Sequence, residues 1–188
     1  AGEEKIDLSQ KNLGSADVTL LTSWLQRPEV TGAVASLCCA NNPGMVGELD
    51  RRGRVKTPDV HAEVFKQLTD SLKTSKVTEA DFSSCGIGPV ALGHVSDWVR
   101  DATGAVTSVN CLNNPLGEGV HIIIKVFEET PRLRTLCGFE EGVEQIDWSE
   151  SQKGPVEVAL LAADLKAGRA IGAINSVTVD STGDTKDW

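Results

Sequence analysis

Val34 to Gly44 reads VASLCCANNPG and Val106 to Gly117 reads VTSVNCLNNPLG, two stretches that carry nearly the same residues in the same order. A third, Val77 to Gly88 (VTEADFSSCGIG), falls between them in the same frame. A chain that reuses one strand-and-turn phrase is built by stacking equivalent units, and a stack presents surfaces where most enzymes present a deep site.

The phrase reduces to apolar-x-x-apolar-x-apolar-x-x-Asn/Cys and begins at Val34, Val77, Val106, Leu133 and Ile174, with a degenerate first copy around Ile6 and Leu8. The steps between copies are 43, 29, 27 and 41 residues. Asp7-Leu8-Ser9 and Leu13-Gly14 correspond to Asp81-Phe82-Ser83 and Ile87-Gly88 at an offset of 74, which also brings Trp24 onto Trp98. The two long copies correspond at an offset of 97, Leu49-Asp50 meeting Ile146-Asp147, Pro58 meeting Pro155 and Leu68 meeting Leu165. Their extra residues therefore read as inserts at 45–57 and 142–154.

Each strand phrase precedes a stretch with helical apolar spacing. The expected inward faces are Val18, Leu21 and Leu25; Val60, Val64, Phe65 and Leu68; Val90, Leu92, Val95 and Val99; Val120, Ile124 and Phe127; and Val158, Leu161 and Leu165. Pro58-Asp59, Gly88-Pro89 and Gly154-Pro155 mark helix starts, because proline fits the first helical turn.

This alternation resembles the leucine-rich-repeat family, in particular its ribonuclease-inhibitor-like class, over residues 3–183. The resemblance implies an α/β fold: a right-handed horseshoe solenoid with a parallel concave sheet of about six strands and helices on the convex side. It maps the family's turn-ladder Asn or Cys onto Asn42, Cys85 and Asn114. Lys11, Glu141 and Thr182 occupy that position in other copies, and beside Glu141 the local turn must differ. Residues 1–188 read as a single repeat domain. The last phrase, Ile174 to Thr182, has no helix after it, so either Trp188 and the polar tail cover an open edge or the chain is a segment of a longer array.

Composition narrows the functions. Eighteen Lys and Arg against 27 Asp and Glu give a net charge of -9, which disfavours nucleic acid and anionic membrane and favours a basic protein partner. No apolar run is long enough to span a bilayer and AGEEK is no signal segment, so the expected setting is cytoplasmic. The five cysteines take positions too far apart for pairing, which fits the same setting.

No reactive constellation emerges. Gly86 to Gly93 lacks the spacing of a phosphate-binding loop. His61, His94 and His121 have no partner at metal-ligand spacing. Cys38 is expected beside Asp81, which would raise its pKa and quench it as a nucleophile. We expect neither catalysis nor a cofactor.

The surface is the better candidate. Strand alternation assigns three outward columns: Lys5, Ser36, Glu79, Ser108, Thr135 and Ser176; Asp7, Cys38, Asp81, Asn110, Cys137 and Thr178; Ser9, Ala40, Ser83, Leu112, Phe139 and Asp180. The expected partner-binding residues are Ser36, Cys38, Ala40, Glu79, Asp81, Asn110, Leu112, Cys137 and Phe139, with Leu112 and Phe139 as apolar anchors. Arg51, Arg52 and Arg54 on a hairpin in the first insert, and Trp148 in the second, form a rim candidate, the two inserts standing about 15 Å apart by strand spacing. The expected function is a noncatalytic interaction scaffold. The alternative is an enzyme regulator, since such repeats resemble ribonuclease inhibitors and activators of Ran-type GTPases.

Overall fold

The structure is a computed structural model and describes residues 4–151 and 153–179. It is a mixed α/β fold. Its main sheet consists of β1 (Glu4–Asp7), β2 (Val34–Cys38), β5 (Glu79–Asp81) and β6 (Ser108–Asn110), all parallel and in that spatial order. Between them run α1 (Ser15–Leu25), the single turn α2 (Pro28–Thr31), the hairpin strands β3 (Glu48–Leu49) and β4 (Val55–Thr57), α3 (Ala62–Leu72) and α4 (Pro89–Asp101). After β6 come α5 (Val120–Glu129), β7 (Gln145–Trp148), α6 (Pro155–Ala167) and β8 (Ser176–Val179).

The register is the one that the repeated phrase specifies. Ile6 faces Leu37, Leu37 faces Ala80, and Ala80 faces Val109. Leu37, Ala80 and Val109 are buried, while their strand neighbours Ser36, Cys38, Glu79, Asp81, Ser108 and Asn110 are half-buried, so one face packs on helices and the other stays open. Successive helices pack in the same order as the strands, α1 on α3, α3 on α4, α4 on α5 and α5 on α6. The core includes a column of aromatic rings. Phe65 meets Phe82 edge-on at 5.3 Å between centroids, and Phe82 meets Trp98 at 6.3 Å.

Two buried asparagines show how the turns stack. Asn42 Oδ1 accepts from the amides of Lys11 and Leu13, and its Nδ2 donates to the carbonyls of Leu8, Cys39 and Ala40. Asn114 repeats the pattern, accepting from Cys85 and Ile87 and donating to Phe82, Cys111 and Leu112. Each asparagine thus satisfies polar backbone in its own turn and in the preceding one, groups that would otherwise be orphaned in the core. Cys85 donates its thiol to the Cys39 carbonyl at 3.1 Å. The residue before each of these three, Asn41, Ser84 and Asn113, has positive φ, as does Gln10 in the first unit.

Four expectations need correction. First, the phrase beginning at Leu133 forms no full strand. It bonds along β6 through Val109 to Thr135 and Cys111 to Leu136, with isolated bridges at Thr135 and Cys137. Second, the insert at 142–154 is no projection: its Gln145–Trp148 is β7, which pairs in parallel with β8 as a separate sheet. Of the six expected strands five form, four in the main sheet and β8 beside β7, a strand from the expected insert. Third, Pro58-Asp59 does not begin α3, which starts at Ala62. Fourth, Val60, Val90, Val158 and Leu165 are exposed. Val60 precedes α3, Val90 lies in the first turn of α4, and in α6 the buried stripe passes through Leu160, Leu161 and Asp164 instead.

Asp164 stands where the main sheet ends. It is fully buried, and its carboxylate accepts from the Thr135 hydroxyl at 2.5 Å, the Leu136 amide at 2.8 Å and the Cys137 amide at 3.3 Å. A side chain from α6 thereby occupies donors at the outer edge of the 133–137 segment, where a neighbouring strand would otherwise bond. Burial pushes the Asp164 carboxyl above its ordinary value, against the lowering effect of the three donors.

Candidate docking surface

The open face of the main sheet is lined mostly by short polar side chains in two rows. One runs Lys5, Ser36, Glu79, Ser108 and the other Asp7, Cys38, Asp81, Asn110, following the strand pairing. Beyond β6 the floor rises into a wall made by Arg134, Gly138, Phe139, Glu140 and Glu141, enclosing an open depression of about 560 Å³. Gly138, at φ 71°, lies so close to Asn110 that a Cβ there would come within 2.8 Å of the Asn110 Cβ, which packs the wall directly against the floor.

Hydrogen bonds fix the carboxylates of the second row. Asp81 Oδ1 accepts from the Ser83 amide at 2.9 Å and the Ser83 hydroxyl at 2.6 Å, and its Oδ2 accepts from Asn110 Nδ2 at 3.1 Å. Asp7 accepts from the Ser9 amide, and these bonds with Ser9 hold its carboxyl below the ordinary range. Cys38 stands between the two aspartates. Burial pushes its thiol up, and the charges of Asp81 and Asp7 push it further, so it remains protonated at neutral pH. The depression can offer acceptors and small neutral contacts, and its cysteine is not a thiolate.

Several expected contact residues are less accessible than the strand pattern implies. Ala40, Leu112 and Cys137 are 7%, 8% and 4% exposed, so Leu112 is part of the core and no free anchor. Ala40 and Leu112 lie just after their strands, where the chain turns inward, and Cys137 lies in the segment held between β6 and Asp164. Phe139 remains half-buried and accessible from the depression, and it stacks on Trp148 with centroids 6.4 Å apart. Trp148 is 8% exposed, with the Lys153 ammonium 5.6 Å from its ring, so it supports Phe139 from beneath.

The arginine hairpin forms as expected. Asp50 organises its turn by accepting from the amides of Arg52 and Arg54, and it pairs with the Arg54 side chain. Arg51, Arg52 and Arg54 are exposed. Sequence reasoning missed Arg134 and Glu141, which form an ion pair across the wall. Asp180, Thr182 and Trp188 lie outside the described residues. All five cysteines are free, and no helix among the described residues is long and apolar enough to cross a membrane.

No family model matches the chain, and no curated protein matches it. Among solved structures, it is similar to that of "Leiomodin-1 Actin-Binding Site 2 (ABS2)", with a TM-score of 0.55 and 12% identity over 87% of this chain and 79% of that one. At that identity the likeness concerns the arrangement of elements alone.

Proposed function

We propose that this chain is a leucine-rich-repeat solenoid of the ribonuclease-inhibitor-like type and that it works as a noncatalytic docking scaffold for another protein. The observation that carries this reading is the open face of the four-stranded sheet. Four in-register strands present short polar side chains on the side away from the helices, walled by Phe139 and the Arg134–Glu141 pair. Side chains this short let a partner approach the sheet closely, and Phe139, an accessible aromatic beside them, offers the kind of anchor that dominates binding energy at interfaces. The asparagine turn ladder and the common strand register support the repeat reading. Actin binding belongs to the leiomodin segment, so actin serves here as a comparison ligand.

Ser36→Arg combined with Ser108→Arg tests the face without touching the core, since both side chains are half-buried on its floor. Affinity for a partner first identified with the unmodified chain is expected to fall at least about tenfold, as bulk and positive charge fill the depression. Unaltered affinity, with an unaltered melting temperature, would remove this face as the docking surface.

A further inference from the structure

Resting on that docking reading, we propose that the occupant of the open face is a basic segment in the polyproline II conformation with a lysine or arginine at every third residue, laid across the strands. Charge complementarity is the first argument. Glu79, Asp81, Glu140 and Glu141 line the depression against Lys5 and Arg134, and Arg134 is already engaged by Glu141. Asp7 continues the row on β1, and the chain as a whole carries a net charge of -9. An acidic peptide or a nucleic acid would meet repulsion at close range on this face.

Spacing is the second argument. Asp7 and Asp81 occupy the same row on β1 and β5 with only β2 between them, and the intervening residue is the neutral Cys38. Two strand spacings separate the two aspartates by roughly 9.6 Å, and a chain in the polyproline II conformation advances about 3.1 Å per residue, so three residues, one full turn, cover the distance. Further along the same direction, after the neutral Asn110, the wall supplies Glu140. Cationic side chains three apart therefore meet successive carboxylates, with small residues between them over Cys38 and Asn110. In the polyproline II conformation every third side chain returns to the same side of the segment, so cations three apart all face the sheet, whereas consecutive cations point in three directions and cannot all be received.

The third argument is preorganisation. Asp81 is fixed by Ser83 and Asn110, it lines the depression, and its Oδ2 accepts a single bond in the structure, so acceptor capacity is left on that oxygen. A guanidinium or ammonium docking there meets an acceptor that needs little further ordering.

The test uses two synthetic peptides of identical composition, three arginines among serines, one with the arginines at every third residue and one with them consecutive. Each is titrated into the full chain by fluorescence anisotropy at low and high salt, with Asp81→Asn and Glu79→Gln variants in parallel. Asparagine keeps an oxygen for Ser83, and melting temperature checks that both variants fold. The expected result is tighter binding of the spaced peptide, roughly tenfold weakening in Asp81→Asn, a smaller loss in Glu79→Gln, and a marked decline at high salt. Equal affinity for the two peptides, absence of binding, or indifference to both substitutions would overturn the proposal. Should Ser36→Arg with Ser108→Arg still abolish capture of a natural partner, the docking face would stand with an occupant of different chemistry.

Discussion

Asp164 is the residue whose chemistry most constrains this fold, because a fully buried carboxylate survives only when its acceptor capacity is used. Thr135, Leu136 and Cys137 use it, yet burial still leaves the carboxyl above its ordinary value of 3.8. A carboxyl raised in the folded state contributes stability that is fully present below 3.8 and is lost as pH rises through the folded value. In Asp164→Asn this term is absent, while the amide oxygen still accepts from the backbone. Urea denaturation from pH 3 to 8 is therefore expected to show wild type losing stability relative to Asp164→Asn as pH rises from about 4. A difference that stays flat across that range, or runs the other way, would show that Asp164 is not desolvated as its position implies. Nothing in the sequence marks this aspartate. It is one of three charged residues on its helix, with Glu157 and Lys166, and its partners stand 27 to 29 residues earlier, with no local motif connecting them.

At the scale of elements, the first insert has a structural role that its sequence disguises. Pro58-Asp59 has the composition of a helix start, yet Asp59 caps a different helix, the α4 of the next unit. Its Oδ1 accepts from the Gly88 and Ala91 amides and its Oδ2 from Val90, so three first-turn donors that α4 cannot satisfy internally are paired. Gly88 is required there, since a Cβ would lie 2.5 Å from the Asp59 carboxylate. Asp59→Ala is expected to cost about 1–2 kcal/mol in chemical denaturation, whereas Arg51→Ala on the same insert should change stability by less than about 0.5 kcal/mol. Equal effects would mean that the cap adds nothing beyond a solvent-exposed contact. The second insert misleads for a different reason. Ile146-Asp147-Trp148-Ser149 repeats the Asp-apolar-Ser phrase of Asp7-Leu8-Ser9 and Asp81-Phe82-Ser83, and all three aspartates accept from the serine two residues on. Aligning Ile146-Asp147 with the hairpin at Leu49-Asp50 conceals that match. The signal is present in the turn chemistry, while hydrophobic periodicity alone favours the wrong alignment.

Across the whole molecule, the repeated phrase makes the parallel register, the helix order and the open polar face legible, because each follows from local periodicity carried from unit to unit. What it cannot reveal is where the main sheet ends, since there a side chain from α6, Asp164, takes up backbone donors of the 133–137 segment. The accessible part of the candidate site is legible in the same measure: Ser36, Cys38, Glu79, Asp81 and Asn110 stand as alternation requires, whereas Leu112 disappears into a turn whose path depends on the neighbouring unit. The break predicts how stability is distributed. Strands β2 and β5 each have two parallel neighbours and a buried inner face, while among the described residues β8 pairs only with β7 and leaves Val177 and Val179 40% and 43% exposed. Backbone amides open most readily where few apolar contacts and few neighbouring strands restrain them. Native-state hydrogen exchange should therefore find the bonded amides of β2 and β5 exchanging only through global unfolding and those of β8 through a local opening of much lower free energy. Asp164→Ala, which leaves the Leu136 and Cys137 amides unpaired, should extend that low-energy opening to residues 133–137 and β7 without reaching β2. Uniform protection across both sheets would mean that the two form one cooperative unit and that the Asp164 edge transmits stability as fully as a continuous strand pair.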